Sequence, residues 1–224
     1  ELLAAGNKAE RLRQAMEAEL AERPGDAYAS AKLGALELSQ GARERGLMLL
    51  QQGLEACPAD AHPERYELLL HLAIGLAPED GARAEGSYRQ ALSLGLPPRL
   101  TLAAQHNLAL LLLERDAVEE AAALAQGEAA AAPELASGWR LLGLIERRRN
   151  RLGEAISAYR RSLAIEPDHP ETQQNLAVAL LLGGDIEGAR AGFSRAIALL
   201  QAQGRNQAAQ ALRDQAGAMV RLEP

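Results

Sequence analysis

The chain has 224 residues, of which 48% are hydrophobic and 24% charged, enough apolar material to bury a sizeable core. This composition excludes a disordered tail and a membrane protein, and the net charge of −6 argues against nucleic acid and anionic lipid surfaces as partners. Aromatic residues make up only 3%, so the core must consist mostly of Ala and Leu, and the sequence predicts an all-α fold.

The first predicted element is an opening helix within residues 1–26. Leu12, Met16 and Leu20 lie at helical spacing, and Pro24 marks the end of the helix. We interpret it as the second half of a helical hairpin whose first helix lies upstream or is absent. Because residue 1 is Glu rather than Met, we expect the chain to be a piece of a longer protein.

After the opening helix, the sequence repeats itself with a period of 34 residues. Leu108, Leu142 and Leu176 are each 34 residues apart, and the same step joins Pro24 to Pro58. Self-similarity at such a period is the signature of a repeat architecture. We therefore divide the central part of the chain into five repeats, at residues 27–60, 61–101, 102–135, 136–169 and 170–203.

The second repeat is seven residues longer than the period. We expect the surplus in two widened loops, at Ala77 to Gly81 and at Pro97 to Thr101, because Pro and Gly are the residues that such loops favour. After the fifth repeat, residues 204–224 carry Leu212, Met219 and Val220 on one stripe. This tail is predicted to be a capping helix, since a stack of repeats must end on a polar outer face.

The fourth repeat shows the two helices of one period most clearly. Its residues follow the pattern Trp139-x2-Leu142-Gly143-x2-Glu146, then Ala155-x3-Tyr159, and finally Pro167. The small residues at 143 and 155 allow the paired helices to approach, and Tyr159 is expected to fill the space that they leave. Pro167 ends the second helix because it lacks an amide hydrogen.

This pattern resembles the tetratricopeptide repeat, with Glu146 in place of the first aromatic residue of the family. The resemblance implies a right-handed α-solenoid of helix-turn-helix repeats, whose concave groove is lined by the first helix of each repeat and usually binds peptides. Transferring the family's groove positions to matching positions in this chain gives Tyr28, Ala31, Lys32, Ala35, His106, Asn107, Leu110, Arg140, Leu144, Arg147, Arg148, Gln174, Asn175 and Val178. No groove residues are assigned in the second repeat, because its seven extra residues leave its alignment with the other repeats uncertain.

Two groups among these groove candidates have chemical content. Asn107 and Asn175 occupy the same repeat position, where an amide either bonds a peptide ligand or serves the repeat internally, and both interpretations stay open. Arg140 with Arg147 or Arg148 can hold a carboxylate, which predicts an acidic protein or peptide partner. The alternative is a solvated helix end whose arginines complement the helix dipole. The chaperone-adaptor subgroup of the family binds a carboxylate with a set of Lys, Asn and Arg residues from three consecutive repeats. That set is not recognisable in this sequence.

No arrangement of residues in the sequence indicates catalysis, a metal site or a cofactor. Gly183-Gly184 fits a turn between paired helices, and the single thiol, Cys57, permits no internal disulfide and precedes a helix-ending proline. The four histidines, without a second thiol, show no metal-ligand spacing. The leading hypothesis is therefore a non-catalytic scaffold for protein–protein interaction.

Cellular location and membrane contact are predicted from apolar runs. The longest, Leu108 to Leu113, is far too short to cross a bilayer, and no signal-peptide pattern opens the chain. We therefore expect a cytoplasmic protein without membrane insertion.

Two further hypotheses concern regions at the start of the chain. The stretch from Lys8 to Tyr28 resembles the junction that follows the catalytic domain in some bacterial nucleotide-sugar-dependent glycosyltransferases, which implies an accessory region of an enzyme with catalysis upstream of Glu1. Separately, the exposed face of the opening helix around Leu12 and Met16 is a candidate for self-association through the ends of the solenoid.

Overall fold

In the computed structural model, residues 2–220 are described, with side chains from Lys8 onward, and they contain α-helices and one 3₁₀ turn but no strand. The all-α prediction is therefore confirmed. None of these helices is both long and apolar enough to cross a bilayer. The helices are α1 (Leu2–Glu22), α2 (Ala27–Ser39), α3 (Arg43–Ala56), α4 (His62–Leu76), α5 (Gly81–Ser93), α6 (Leu102–Glu114), α7 (Val118–Ala131), α8 (Ala136–Arg148), α9 (Leu152–Ile165), α10 (Pro170–Leu182), α11 (Ile186–Ala202) and α12 (Asn206–Met219).

The chain divides into two compact units, the first extending to Leu111 and the second beginning at Leu112. In the first unit, helices packed next to each other in sequence form hairpins such as α2–α3 and α4–α5, and α2 also contacts α4. In the second unit, α8–α9 and α10–α11 form the corresponding hairpins, and α8 contacts α10. The first helix of one hairpin thus lies against the first helix of the next in both units.

Four of the hairpins are closed by three-residue turns whose middle residue adopts a left-handed backbone conformation. These residues are Gly41, Asp116, Asn150 and Gly184, with φ between 58° and 86°. Gly adopts this conformation without a steric penalty, and Asn and Asp tolerate it better than other residues. The predicted turn at Gly183-Gly184 is confirmed in this way.

The repeat at residues 61–101 accommodates its surplus in three places. Helix α4 has 15 residues against 13 in α2, and the turn that follows it, at 77–80, has one residue more than the other turns. Most of the surplus lies in the long connection from α5 to α6, which contains a 3₁₀ turn at Pro98–Leu100.

Small residues set the spacing within the hairpins, as the sequence indicates. A Cβ added to Gly143 would lie 2.6 Å from the ring of Tyr159, which is completely buried. In the first unit, a Cβ on Gly34 would lie 2.6 Å from Leu50 Cγ. The prediction that Tyr159 fills the space left by small residues is confirmed.

Candidate functional site

A groove lies between α2 and α4 on the surface of the first unit. Asp26 starts α2 by accepting a hydrogen bond from the amide of Ala29 at 2.9 Å, which fixes where the helix begins. Tyr28, Lys32 and Ala35 then follow at helical spacing toward α4. We call this surface the α2–α4 groove; it contains two pockets.

The larger pocket, which we call the Ile74 pocket, lies toward the carboxyl ends of the two helices and has a volume of about 440 Å³. Its lining is mostly apolar and consists of Ala35, Leu38, Ser39, Gly41, Arg43, His71, Ile74, Gly75 and Pro78. Gly75 permits close packing there, because a Cβ at this position would lie 2.8 Å from Leu47 and 2.9 Å from Leu38. The side chain of Ile74 is 40% exposed, so an apolar surface remains open to a ligand.

The smaller pocket, the Tyr28 pocket, lies near the amino ends of α2 and α4 and has a volume of about 170 Å³. It is lined by Ala27, Tyr28, Ala31, Lys32, Pro63, Glu64 and Glu67. Tyr28 is 60% exposed, although the Lys32 ammonium lies 5.6 Å from the centre of its ring. A large aromatic surface is thus available beside a cation.

Three polar side chains lie where the two pockets adjoin: Lys32 and Glu67 line the Tyr28 pocket, and His71 lines the Ile74 pocket. Lys32 Nζ is 3.9 Å from Glu67 Oε2, and His71 Nε2 is 3.6 Å from the same oxygen. Burial lowers the pKa of His71 below its ordinary value of 6.5, while Glu67 acts in the opposite direction. His71 is therefore neutral at pH 7, and the one formal charge pair at the centre of the groove is Lys32 with Glu67.

The contributions of α4 to this groove were missed by sequence reasoning. The transferred positions included Tyr28, Ala31, Lys32 and Ala35 on α2, but the second repeat was left unassigned because of its surplus residues. A signal was nevertheless present: Glu67, His71 and Ile74 are spaced four and three residues apart and therefore share one face of a helix.

The predicted groove residues of α6 lie in the same unit. His106, Asn107 and Leu110 are all partly buried. The Asn107 side chain hydrogen-bonds the hydroxyl of Tyr88, whose pKa is raised to about 12 by burial. This contact favours the repeat-internal interpretation of Asn107 that the sequence left open.

The predicted groove residues of α10 belong to the second unit. Gln174 lines a separate pocket between α10 and α12, while Val178 packs against a core formed around Tyr159 and Phe193. Asn175 is partly buried. The role of Asn175 stays a prediction.

The predicted arginine clamp lies on α8, and its members are engaged within the protein. Arg140 Nη1 lies 2.5 Å from Glu166 Oε2, and Arg148 lies 3.6 Å from Asp116. Arg147 faces Tyr159, where burial raises the pKa of the hydroxyl and the guanidinium opposes that rise. Leu144, between them on the helix, is partly buried. An acidic ligand at Arg140 would therefore have to displace Glu166.

Other chemically reactive groups do not assemble into a centre. Within residues 2–220, no three His, Cys, Asp or Glu side chains are placed to hold a metal ion. Cys57 is buried, and burial raises the pKa of its thiol, so the thiol stays protonated at neutral pH.

Comparisons with known proteins agree with the helical hairpins. Residues 147–216 match the family model described as tetratricopeptide repeat. A TPR repeat-containing protein of Synechococcus elongatus is 37% identical over 201 residues, which cover 88% of this chain and 49% of that protein. The chain thus spans about half the length of this relative, and the glycosyltransferase alternative stays a prediction.

Two solved structures show the same fold at low sequence identity. MamA from Desulfovibrio magneticus RS-1 superposes with a TM-score of 0.68 at 23% identity, covering 80% of this chain and 97% of that one. YrrB, described as a TPR protein with an unusual peptide-binding site, gives a TM-score of 0.68 at 18% identity and covers 88% of this chain and 98% of its own.

Proposed function

Because this chain is built from tetratricopeptide repeats, we propose that it is a non-catalytic scaffold that binds an extended segment of a partner protein in the α2–α4 groove. The observation that carries this proposal is the pair of mostly apolar pockets on one face of the first unit, separated by polar side chains. Ligand sites combine apolar surface with a few convergent polar groups in this manner. The peptide-binding description of YrrB supports the same class of function.

The α2–α4 groove suits an extended segment. Ala35 has a small, partly buried side chain, which allows a ligand backbone to approach α2 beside the Ile74 pocket. Ala31, which the family's positions also placed in the groove, is only 3% exposed and belongs to the core. Ile74 and Tyr28 remain exposed at either end to contact ligand side chains.

A selection experiment tests this proposal. A phage-displayed library of random dodecamer peptides is selected on the immobilised chain, and enriched peptides are titrated by isothermal calorimetry. Ala35→Arg places a large charged side chain at the edge of the Ile74 pocket, and we expect it to weaken binding by about tenfold or more. The control is Met48→Arg, at a side chain that is 49% exposed on α3, outside the lining of either pocket.

The expected result is loss of affinity in Ala35→Arg, no change in Met48→Arg and equal helical content in both by circular dichroism. Failure to enrich any peptide, or equal affinity of Ala35→Arg and the parent chain, would contradict the proposal.

The predicted acidic partner is a separate part of the proposal, because it concerns Arg140 and Arg147 in the second unit. In the double variant Arg140→Ala and Arg147→Ala, we expect weaker binding of an acidic peptide and unchanged helical content. Arg140 must release Glu166 to take part, so the expected loss is modest, about 1 kcal/mol or less. Equal affinity of variant and parent chain rejects the clamp.

Self-association through α1 is also retained as a proposal. Leu12 is 38% exposed, which is consistent with an apolar contact there, whereas Met16 is partly buried. Light scattering of the chain across a concentration series tests it; a constant molar mass rejects it.

A further inference from the structure

We propose that the segment bound in the α2–α4 groove is uncharged at its centre and carries two apolar side chains four residues apart. This inference rests on the proposed function and specifies the class of ligand. It is drawn from the separation of the two pockets and from the charges between them.

The separation of the pockets fixes the spacing of the apolar side chains. The residues of α2 and α4 that line the Tyr28 pocket are centred about eight positions before those that line the Ile74 pocket. At a rise of about 1.5 Å per helical residue, the pocket centres lie about 12 Å apart along the helices. An extended peptide covers this distance in about four residues, at about 3.3 Å each, and side chains four residues apart project to the same face of the peptide.

The charges between the pockets favour a neutral ligand centre. Lys32 and Glu67 lie 3.9 Å apart and their side chains are 39% and 44% exposed, so both charges face the same stretch of ligand. An acidic ligand side chain placed there meets Glu67, and a basic one meets Lys32. A peptide group satisfies both residues, because its carbonyl accepts from the ammonium and its N–H donates to the carboxylate.

The Ile74 pocket adds no unpaired charge to the pair formed by Lys32 and Glu67. Arg43 Nε donates to the carbonyl of Gly75 at 2.9 Å, and its Nη1 lies 2.7 Å from Glu79. The arginine at the pocket wall is therefore already neutralised. An apolar ligand side chain fits this pocket without leaving a buried charge unpaired.

Glu64 is the remaining carboxylate of the Tyr28 pocket, and it is exposed to solvent. Water and salt screen a charge at such a position, so Glu64 has a smaller effect on ligand choice than the pair at the centre. The charge of Glu64 acts on those ligand residues that extend beyond the Tyr28 pocket.

A set of capped heptapeptides tests the inference by isothermal calorimetry with the full chain. Each peptide has Leu at the second and sixth positions and Gly at both ends, and the three central residues are Ser-Asn-Ser, Ser-Asp-Ser or Ser-Lys-Ser. We expect the Asn peptide to bind about fivefold more tightly than either charged peptide. A fourth peptide, with two Ser residues between the leucines, is expected to bind more weakly than the Asn peptide, because its leucines project to opposite faces.

Two variants assign the discrimination to the central pair. In Glu67→Gln, the affinity of the Asp peptide is expected to rise about fivefold, while the Lys peptide stays weak. In Lys32→Gln, the affinity of the Lys peptide rises instead. Glu55→Gln, an exposed carboxylate on α3, is the matched control and is expected to change neither ratio.

The outcomes separate this inference from the scaffold proposal. If charged and neutral peptides bind equally, or if the variants do not change the ratios, the inference is wrong and the scaffold proposal stands. The same conclusion follows if none of the heptapeptides binds but the phage library yields peptides that are sensitive to Ala35→Arg. If no peptide binds from either source, both proposals fail.

Discussion

Two hairpins, one in each unit, share the pattern Leu-Gly-x2-Glu but use its glutamate differently. The first copy is Leu33-Gly34-x2-Glu37, and the second is Leu142-Gly143-x2-Glu146. Both glutamates are buried, with 1% and 3% of their surface exposed. A carboxylate so deeply buried requires a partner, and the two copies obtain theirs from different parts of the chain.

Glu37 is neutralised mainly by a neighbouring helix. Arg13 of α1 donates to it at 2.6 Å, and Arg45 of α3 lies 3.8 Å away. Glu146 is instead bonded by Arg149, in the turn that directly follows its own helix, at 3.0 Å. The glutamate of the motif therefore joins α1 to α2 in the first unit, whereas in the second unit it stabilises the turn after its own helix.

This difference shows that a repeated motif does not determine the contacts of its own side chains. Arg13 is 24 residues from Glu37, whereas Arg149 is three residues from Glu146. An ion pair between helices thus joins α1 to α2. The corresponding helix of the second unit, α7, contributes only Gln126, 3.4 Å from Glu146.

The largest expected effect comes from Arg13→Ala. Loss of the guanidinium leaves the buried carboxylate of Glu37 with Arg45 alone, and we expect the free energy of unfolding to fall by about 3 kcal/mol. Urea denaturation followed by circular dichroism measures this change. Hydrogen exchange of the α1 amides should accelerate, because the helix has lost its ion pair.

Arg11→Ala is the matched control for Arg13→Ala, since Arg11 is exposed on the same helix. If Arg13→Ala leaves the exchange of α1 amides at the parental rate, the attachment of α1 does not depend on Glu37.

A smaller effect is expected for Arg149→Ala in the second unit. Glu146 then retains the amide of Gln126, and Arg151 lies 3.9 Å away, so we expect a loss of about 2 kcal/mol. Trp139 is the single tryptophan of the chain, and its fluorescence follows the unfolding of this unit. In Arg149→Ala, hydrogen exchange of the α7 amides should stay at the parental rate. If it accelerates as much as exchange of the α1 amides in Arg13→Ala, the two glutamates do not differ in the way proposed.

The glycines of the two motifs provide a third comparison. Gly143→Ala forces a methyl group against the rigid ring of Tyr159, and we expect a cost of about 1–3 kcal/mol. Gly34→Ala meets Cγ of the buried Leu50 and, at 3.2 Å, the carbonyl oxygen of Gly46. Because a leucine can change rotamer where a ring cannot yield, we expect a smaller cost, about 1 kcal/mol. Thermal unfolding of both variants decides the order, and a larger loss in Gly34→Ala contradicts it.

The smallest expected effect is a pH dependence that concerns His71 of the first unit. Because its folded pKa is lowered, the unfolded state binds the proton first, and the contribution of His71 to stability declines as the pH falls below about 6.5. The loss continues down to the folded pKa. The difference in unfolding free energy between the parent chain and His71→Gln, measured from pH 7.5 to 5, isolates this contribution; a constant difference would show that burial does not penalise the charged imidazole.

Much of the fold was predictable because it depends on short-range patterns. Gly143 and Tyr159 belong to one hairpin, so their contact follows from helical spacing and a short turn. The groove was only half predictable. The groove residues of α2 match the family's positions, whereas Glu67, His71 and Ile74 lie in the repeat whose surplus residues obscure its alignment with the others.

The sequence by itself determined the all-α class, the helical hairpins and the small residues at which paired helices meet, because each depends on residues within one repeat. Only the tertiary structure decided that Arg13 serves Glu37, that Arg140 is held by Glu166 and that Lys32 faces Glu67. Each of these pairs joins different secondary-structure elements, and in such cases the partner of a charged side chain is set by the distance between packed helices. The spacing of the repeats along the sequence does not determine that distance.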